Sequence, residues 1–310
     1  MSKNKRAILA ALAGNFIFGF SFLASKIALR TVDPIVLLAF RFTAAFAALN
    51  LLRFTGIISV CFRNKKMGVL IPMSICQPVL YFLCENYGIQ YTTSSFSGLM
   101  IALIPVVTFI LAAVILKEPF RWKKFKWAIC SVCGVCVISI TGAGGGSVTK
   151  EGILLLTGAV LSGSLYAVLS RKCSDSFTAV ERTYAMFAAG CVSFLLFGLI
   201  HTKGKLVSSC VRACGNPAFV GAVVYLAVVS SIIAFFCMNY ATTYLPVTQS
   251  SSFANLATLV SIIAGVIFLH ESFGLKEAVG AVLILCGVYR LNRVEAQPVQ
   301  PQNKKIGEER

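Results

Sequence analysis

Ten long runs of apolar residues dominate this sequence. They occupy residues 7–30, 34–52, 67–90, 94–116, 126–142, 152–170, 178–201, 218–240, 247–269 and 278–291. A helix that rises about 1.5 Å per residue needs about 20 such residues to cross the hydrocarbon of a bilayer. With 57% hydrophobic and 13% charged residues, the chain has about half the charged fraction of a typical soluble domain. We therefore predict an all-α membrane protein with ten transmembrane helices.

The positive charge of the chain, formally +17, is distributed unevenly among the predicted connections. Nineteen lysines and arginines fall on the side of the N-terminus and six on the other side. Basic residues collect in cytoplasmic loops, so we predict a multi-pass cell-membrane protein with both termini in the cytoplasm. The loop with Lys203, Lys205 and Arg212 is the exception. Because the cations form no stripe with interleaved aromatic residues, the expected partner is the lipid bilayer and not a nucleic acid.

The two halves of the sequence resemble each other at a fixed spacing. Shifted by 153 residues, Phe82, Cys84, Asn86 and Tyr87 fall on Phe235, Cys237, Asn239 and Tyr240. Since five spans per half is an odd number, the second half would enter the membrane upside down. We predict two inverted five-helix repeats, residues 1–142 and 152–291, with a glycine-rich connection at 143–151 and a polar cytoplasmic tail at 292–310. Inverted repeats are typical of secondary transporters, which bind solute near the midplane between the repeats.

Several motifs of the first half resemble those of a known family. They are the aromatic-Gly-x-x-Phe…Lys pattern of Phe18-Gly19-Phe20-Ser21-Phe22 with Lys26, the pair Pro34 and Arg41, and the pair Pro105 and Glu118. Together with the repeat, they resemble the ten-helix EamA-type branch of the drug/metabolite transporter superfamily over residues 7–291. This resemblance implies a ten-helix transporter that moves its solute out of the cell.

Three predicted spans carry polar and aromatic residues on one helical face, three or four residues apart. These candidate substrate-binding residues are Asn15, Phe18 and Phe22 on the first span, Gln77, Tyr81 and Glu85 on the third, and Ser251 and Asn255 on the ninth. Tyr166 and Tyr184 join them because of their positions on the sixth and seventh spans. Lipid offers such residues no partner, so they face either a cavity or another helix. The pattern leaves these two alternatives open.

Three charged residues of the first half are predicted to lie inside spans, where charge is costly and typically functional. Counted from the ends of their spans, Lys26, Arg41 and Glu85 all fall in the outer third, and we expect them to cluster. The cluster is either a structural ion pair or a site for a solute or a proton. Coupling to a proton or to the membrane potential is one hypothesis for its role.

Residues for other chemistries are missing or wrongly spaced. Cys130, Cys133 and Cys136 form a C-x-x-C-x-x-C run with no second pair of ligands, so we predict no metal site. The chain has no G-x-S-x-G motif and no nucleotide-binding loop, and its two histidines lie at span ends. These observations argue against an enzyme or an ATP-driven pump, and no cofactor is expected.

The predicted function is that of a secondary transporter. It would export a small organic metabolite, an amino acid or a similar solute, by alternating access of a central cavity between the repeats. The alternative is a membrane-embedded lipid-modifying enzyme or a lipid translocator, which would use Lys26, Arg41 and Glu85 on a head group.

Overall fold

The computed structural model describes residues 3–63, 65–115, 122–143, 148–245 and 253–293, and every regular element in these ranges is a helix. The first half contains α1 (Lys3–Ala28), α2 (Pro34–Phe54), α3 (Leu70–Ser74), the π-helical segment π1 (Ile75–Leu80), α4 (Tyr81–Gln90), α5 (Ser94–Ile101), α6 (Ile104–Ile115) and α7 (Trp122–Ala143). The second half contains α8 (Lys150–Cys173), α9 (Ala179–His201), α10 (Leu206–Ala213), α11 (Pro217–Val224), π2 (Tyr225–Ala234), α12 (Phe235–Tyr244), α13 (Ala254–Leu269) and α14 (Leu275–Arg293). The short helix α10 lies in a stretch that the sequence analysis treats as a loop.

Six helical stretches are long and apolar enough to cross a membrane. They are Asn4–Ala28, Pro34–Phe54, Ser94–Ile115, Lys150–Cys173, Ala179–His201 and Pro217–Ala241. Two shorter apolar helices are Phe125–Val137 and Leu256–Leu269. By length and composition, these stretches agree with the predicted multi-pass helical protein, whereas the count of ten spans stays a prediction.

The third predicted span is interrupted in its middle. Gln77 has φ −140° and ψ 117°, which are values of extended backbone, because the residue before a proline is disfavoured in the helical region. Pro78 also lacks the N–H group that a helix would use. The carbonyl of Cys76 accepts a hydrogen bond of 2.7 Å from Ser162 Oγ on α8. A neighbouring helix thus satisfies the interrupted backbone.

The repeat pairs α2 with α9, and these two helices pack against each other in antiparallel directions. Arg53 near the end of α2 donates a hydrogen bond of 3.2 Å to Tyr184 near the start of α9. At the opposite end, Asp33 before α2 lies 3.6 Å from His201, the last residue of α9. A helix of the first half therefore runs opposite to its counterpart in the second half.

A second antiparallel pair, α7 and α14, brings two backbones together at glycines. A Cβ atom on Gly134 would lie 2.6 Å from the carbonyl oxygen of Gly280, and one on Gly287 would lie 2.7 Å from the carbonyl oxygen of Trp127. The offset of 153 relates Gly134 to Gly287 and Trp127 to Gly280. The two contacts are therefore equivalent under the sequence repeat.

We expect Gly134→Val to destabilise the protein by about 1–3 kcal/mol or more, because the added side chain has no space between the helices. Gly287→Val should have a similar effect, since its surroundings are equivalent. Gly221→Val is the matched control, because no atom lies within 4 Å of its would-be Cβ. Thermal unfolding of the purified variants measures the effect. Equal melting temperatures for Gly134→Val and Gly221→Val would contradict the close packing of α7 and α14.

Candidate functional site

A cavity lies where α1, π1, α4, α5 and α6 of the first half meet α8, α12 and α13 of the second half. Its empty volume is about 1130 Å³, including the space at its mouth. Seven of the ten candidate substrate-binding residues line it: Asn15, Phe18, Phe22, Gln77, Tyr81, Glu85 and Tyr166. The structure thus brings together residues that are up to 151 positions apart in the sequence.

Tyr184 does not line this cavity, although the sequence analysis includes it as a cavity candidate. Its hydroxyl donates a hydrogen bond of 2.9 Å to Asn50 Oδ1 and accepts one from Arg53. Its ring packs against Phe46 with the centroids 5.2 Å apart. Tyr184 lies on the face of α9 that is turned towards the end of α2, so it joins two helices there.

The two candidates on the ninth span cannot be placed. Ser251 lies outside the described residues, and so does the side chain of Asn255. Their neighbours Ala254, Ala257 and Thr258 line the cavity. The first turn of α13 therefore contributes to the wall.

Glu85 and Tyr81 form a buried polar pair in the cavity wall. They are 5% and 6% exposed, and the hydroxyl of Tyr81 donates a hydrogen bond of 2.8 Å to Glu85 Oε1. The pair forms because residues four apart lie on the same helical face. Among the described residues that line the cavity, Glu85 is the one with a formal charge. The site can therefore attract a cationic group or hold a proton.

Arg41 lies behind this part of the wall. Its guanidinium donates to Ser231 Oγ at 2.9 Å and to Ser230 Oγ at 3.2 Å, and its central carbon is 4.5 Å from the centroid of the Phe82 ring. Arg41 and Glu85 interact electrostatically, but no described residue forms an ion pair with Glu85 within 4.0 Å. Arg41 therefore contributes a buried positive charge near the carboxylate without neutralising it by contact.

Lys26 forms no ion pair with Glu85 within 4.0 Å. Its ammonium donates hydrogen bonds to the carbonyl oxygens of Ile89, at 2.6 Å, and of Thr92. Ile89 lies in the last turn of α4, where carbonyl groups lack partners within the helix, and Thr92 lies just beyond that helix. The cluster of Lys26, Arg41 and Glu85 stays a prediction.

Glu271 makes another contact between segments, near the contacts of Lys26. Its carboxylate accepts hydrogen bonds from Ser94 N at 2.6 Å, from Ser95 N at 2.9 Å and from Ser95 Oγ at 2.6 Å. These donors open α5, where backbone N–H groups lack helical partners. Glu271 also interacts electrostatically with Lys26. The segment after α13 is thereby tied to the start of α5.

At the other end of the cavity, the candidate Tyr166 lies with polar residues that were not among the predicted site residues, Ser170, Arg182 and Asn239. Tyr166 donates a hydrogen bond of 3.2 Å to Asn239 Oδ1. Arg182 donates to Ser170 Oγ at 2.7 Å and to the carbonyl oxygen of Asn239 at 3.3 Å. Both Ser170 and Asn239 line the cavity. Arg182 follows Arg41 by 141 residues, which is a second match between the two halves. This match was the available signal, because it relates two arginines that are both buried.

Aromatic rings make up much of the remaining wall. Phe18 and Phe235 meet edge to face with centroids 5.1 Å apart, and Phe22 and Phe82 lie nearby in the lining. Asn15 donates to the carbonyl oxygen of its own helix residue Ala11 at 2.7 Å. An apolar cavity with a few placed polar groups is typical of a small-molecule site. The described residues include no group of three or more potential metal ligands.

Two stretches of the chain, residues 5–140 and 150–293, match the model of the EamA-like transporter family. The uncharacterized transporter YcxC of Bacillus subtilis (strain 168) is 35% identical over 304 residues, covering 96% of this chain and 97% of that protein. A probable terminal-alkyne amino-acid exporter of Streptantibioticus cattleyicolor is 28% identical over 216 residues, which are 69% of each chain. A solved crystal structure at 18% identity has a TM-score of 0.67 and covers 94% of this chain and 100% of that chain, which shows the same fold.

Proposed function

Because this chain belongs to the EamA-like transporter family, we propose that it is a secondary transporter that exports a small organic metabolite, such as an amino acid. The family match and the transporter-named relatives identify it as a multi-pass membrane transporter of small-molecule solutes and not as an enzyme. The observation that carries the more specific proposal is the cavity between the two halves, with Glu85 and the helix break at Gln77 in its wall. The amino-acid exporter among the relatives supports the solute class.

We further propose that the chain spans the membrane ten times as two inverted halves, residues 1–142 and 152–291. The antiparallel directions of α2 and α9, and of α7 and α14, support this arrangement, because inverted repeats place equivalent helices in opposite directions. The excess of basic residues on the side of the N-terminus supports a cytoplasmic location of both termini.

In this orientation the contacts of Lys26 and Glu271 lie at the outer end of the cavity. They tie α1 to the end of α4, and the end of α13 to the start of α5. Towards the cytoplasm, the lining extends along α8 to Ser170, three residues before the helix ends. We infer that these contacts close the cavity to the outside, and alternating access requires them to break.

Glu85 is proposed to bind a cationic group of the solute or a coupling proton. At the offset of 153, Tyr81 and Glu85 correspond to Ala234 and Met238, so this hydrogen-bonded pair belongs to the first half alone. The helix break places Gln77 in the cavity wall beside this pair, and discontinuous helices border the solute sites of other transporters. The first half would therefore supply most of the polar recognition.

Sealed proteoliposomes test the proposed function. We expect the purified protein to move labelled amino acids across the membrane, faster than vesicles without protein do. Fluorescent phospholipid in parallel vesicles tests the lipid-translocator alternative. Lipid movement without amino-acid movement would support that alternative and contradict the proposal.

For the same assay, Glu85→Gln should lower transport by about tenfold or more and flatten its dependence on pH. The variant keeps the size of the side chain and removes a charge whose hydrogen bonds are worth about 1.5–3 kcal/mol. Glu151→Gln, at an exposed carboxylate of the first turn of α8, is the control and should transport normally. If Glu85→Gln transports normally at every pH but yields little folded protein, the carboxylate serves the structure alone.

Glu271→Ala should let the outer end of the cavity open more often. In a cysteine-free background with Phe22→Cys, a membrane-impermeant maleimide added outside should label position 22 roughly tenfold faster, since a charged hydrogen-bond acceptor is lost. Glu277→Ala is a matched control, because Glu277 accepts a backbone hydrogen bond of 3.0 Å from Gly274 within its own helix start. Equal labelling rates in the two variants would contradict a gating role for Glu271.

A further inference from the structure

A groove outside the cavity lies between α2 and α10. Ala39, Thr43 and Ala47 line one side of it, and Val207 and Val211 line the other. We refer to it as the α10 groove. We propose that the α10 groove binds an anionic phospholipid, with an acyl chain along α2 and the head group at the basic residues of the α10 connection.

The α10 groove is apolar over the depth that an acyl chain needs. From Ala39 to Ala47, α2 rises about 12 Å, which is most of the roughly 15 Å of hydrocarbon in one leaflet. Thr43 is the polar side chain in the lining, and its hydroxyl is already engaged by the thiol of Cys191 at 3.8 Å. Small side chains on α2 leave the space open, and Val207 and Val211 are 72% and 67% exposed.

The helix that forms the other wall is amphipathic. Leu206 and Ala213 are buried, and a Cβ atom on Gly198 of α9 would lie 3.0 Å from Leu206 Cδ2, so α10 packs tightly onto the end of α9. Lys205 and Arg212, just before and within α10, are exposed. A helix with aliphatic residues on one face and basic residues on the other is typical of a membrane interface.

Three basic residues form the proposed head-group site. Lys203, Lys205 and Arg212 are all exposed, and none forms an ion pair within 4.0 Å with another described residue. Basic residues close to an anionic membrane surface strengthen binding to it. A lipid phosphate would complement the three positive charges.

No described acidic residue forms an ion pair within 4.0 Å with these three cations. Between positions 182 and 270 the sequence contains no Asp or Glu. The described contact of Asp33, which precedes α2, is with His201 at the end of α9, at 3.6 Å. Binding of an anionic lipid thus also explains why this connection is basic although the charge asymmetry places it outside the cell.

Purified protein reconstituted into vesicles of phosphatidylglycerol or of phosphatidylcholine tests this proposal. We expect a higher melting temperature in phosphatidylglycerol, and retained phosphatidylglycerol in native mass spectra. The triple variant Lys203→Gln/Lys205→Gln/Arg212→Gln should lose the shift and retain phosphatidylglycerol roughly a hundredfold less well. Ala44→Trp, which fills the groove from α2, should lose both effects as well.

Matched controls separate the site from general effects of charge and size. Lys150→Gln/Arg171→Gln/Lys172→Gln removes three exposed cations elsewhere, and Val192→Trp adds an exposed ring on α9 outside the groove. Both should keep the phosphatidylglycerol shift. Equal melting of the wild type in the two lipids, or an unchanged shift in the triple variant, would overturn the proposal. So would an Ala44→Trp variant that turns a dimer into a monomer without lipid dependence, since the groove would then join two copies. None of these measurements depends on transport.

Discussion

The hydrocarbon of a bilayer offers no partner to an unpaired backbone group, and this constraint governs the most informative contacts of the structure. The helix break at Gln77 exposes the carbonyl of Cys76, which Ser162 satisfies. The carbonyl ends of α4 receive Lys26, and the N–H groups that open α5 receive Glu271. At these three places, a side chain from another segment of the chain supplies the missing partner. Polar residues accumulate where helices are broken, and such breaks also border the cavity.

Much of the architecture could be predicted from the sequence because its signals are long and periodic. The apolar runs coincide with helical segments, and the one-face pattern of Gln77, Tyr81 and Glu85 places all three in one cavity wall. Partners that are backbone atoms leave no such signal, so the contacts of Lys26 with the carbonyls of Ile89 and Thr92 could not be predicted. The rotation of a helix about its axis is equally hidden, which is why Tyr184 was expected at the cavity.

Two buried arginines in equivalent positions show how the repeat has diverged. Arg41 on α2 donates to Ser230 and Ser231, whereas Arg182 on α9 donates to Ser170 and Asn239. Both connect to the long eighth segment, π2 and α12, but at different levels of it. A buried guanidinium is costly unless its donors are satisfied. Hydroxyl and carbonyl oxygens accept from Arg41 and from both terminal nitrogens of Arg182, whereas the buried Arg182 Nε has no hydrogen-bond partner. Both halves keep a buried arginine at the equivalent position, but the two arginines donate to different acceptors.

The packing of α7 against α14 has the form of a subunit interface. In a two-fold homodimer, if residue i of one copy contacts residue j of the other, then residue j of the first copy contacts residue i of the second. Gly134 against Gly280 and Gly287 against Trp127 obey this rule within one polypeptide. Ser131 donates a hydrogen bond of 3.2 Å to the carbonyl oxygen of Ile284, its own equivalent at the offset of 153. A residue that contacts its own equivalent lies next to the two-fold axis. The contact of α7 with α14 thus has the two-fold form of a dimer interface, and a single polypeptide makes its two sides in equal number.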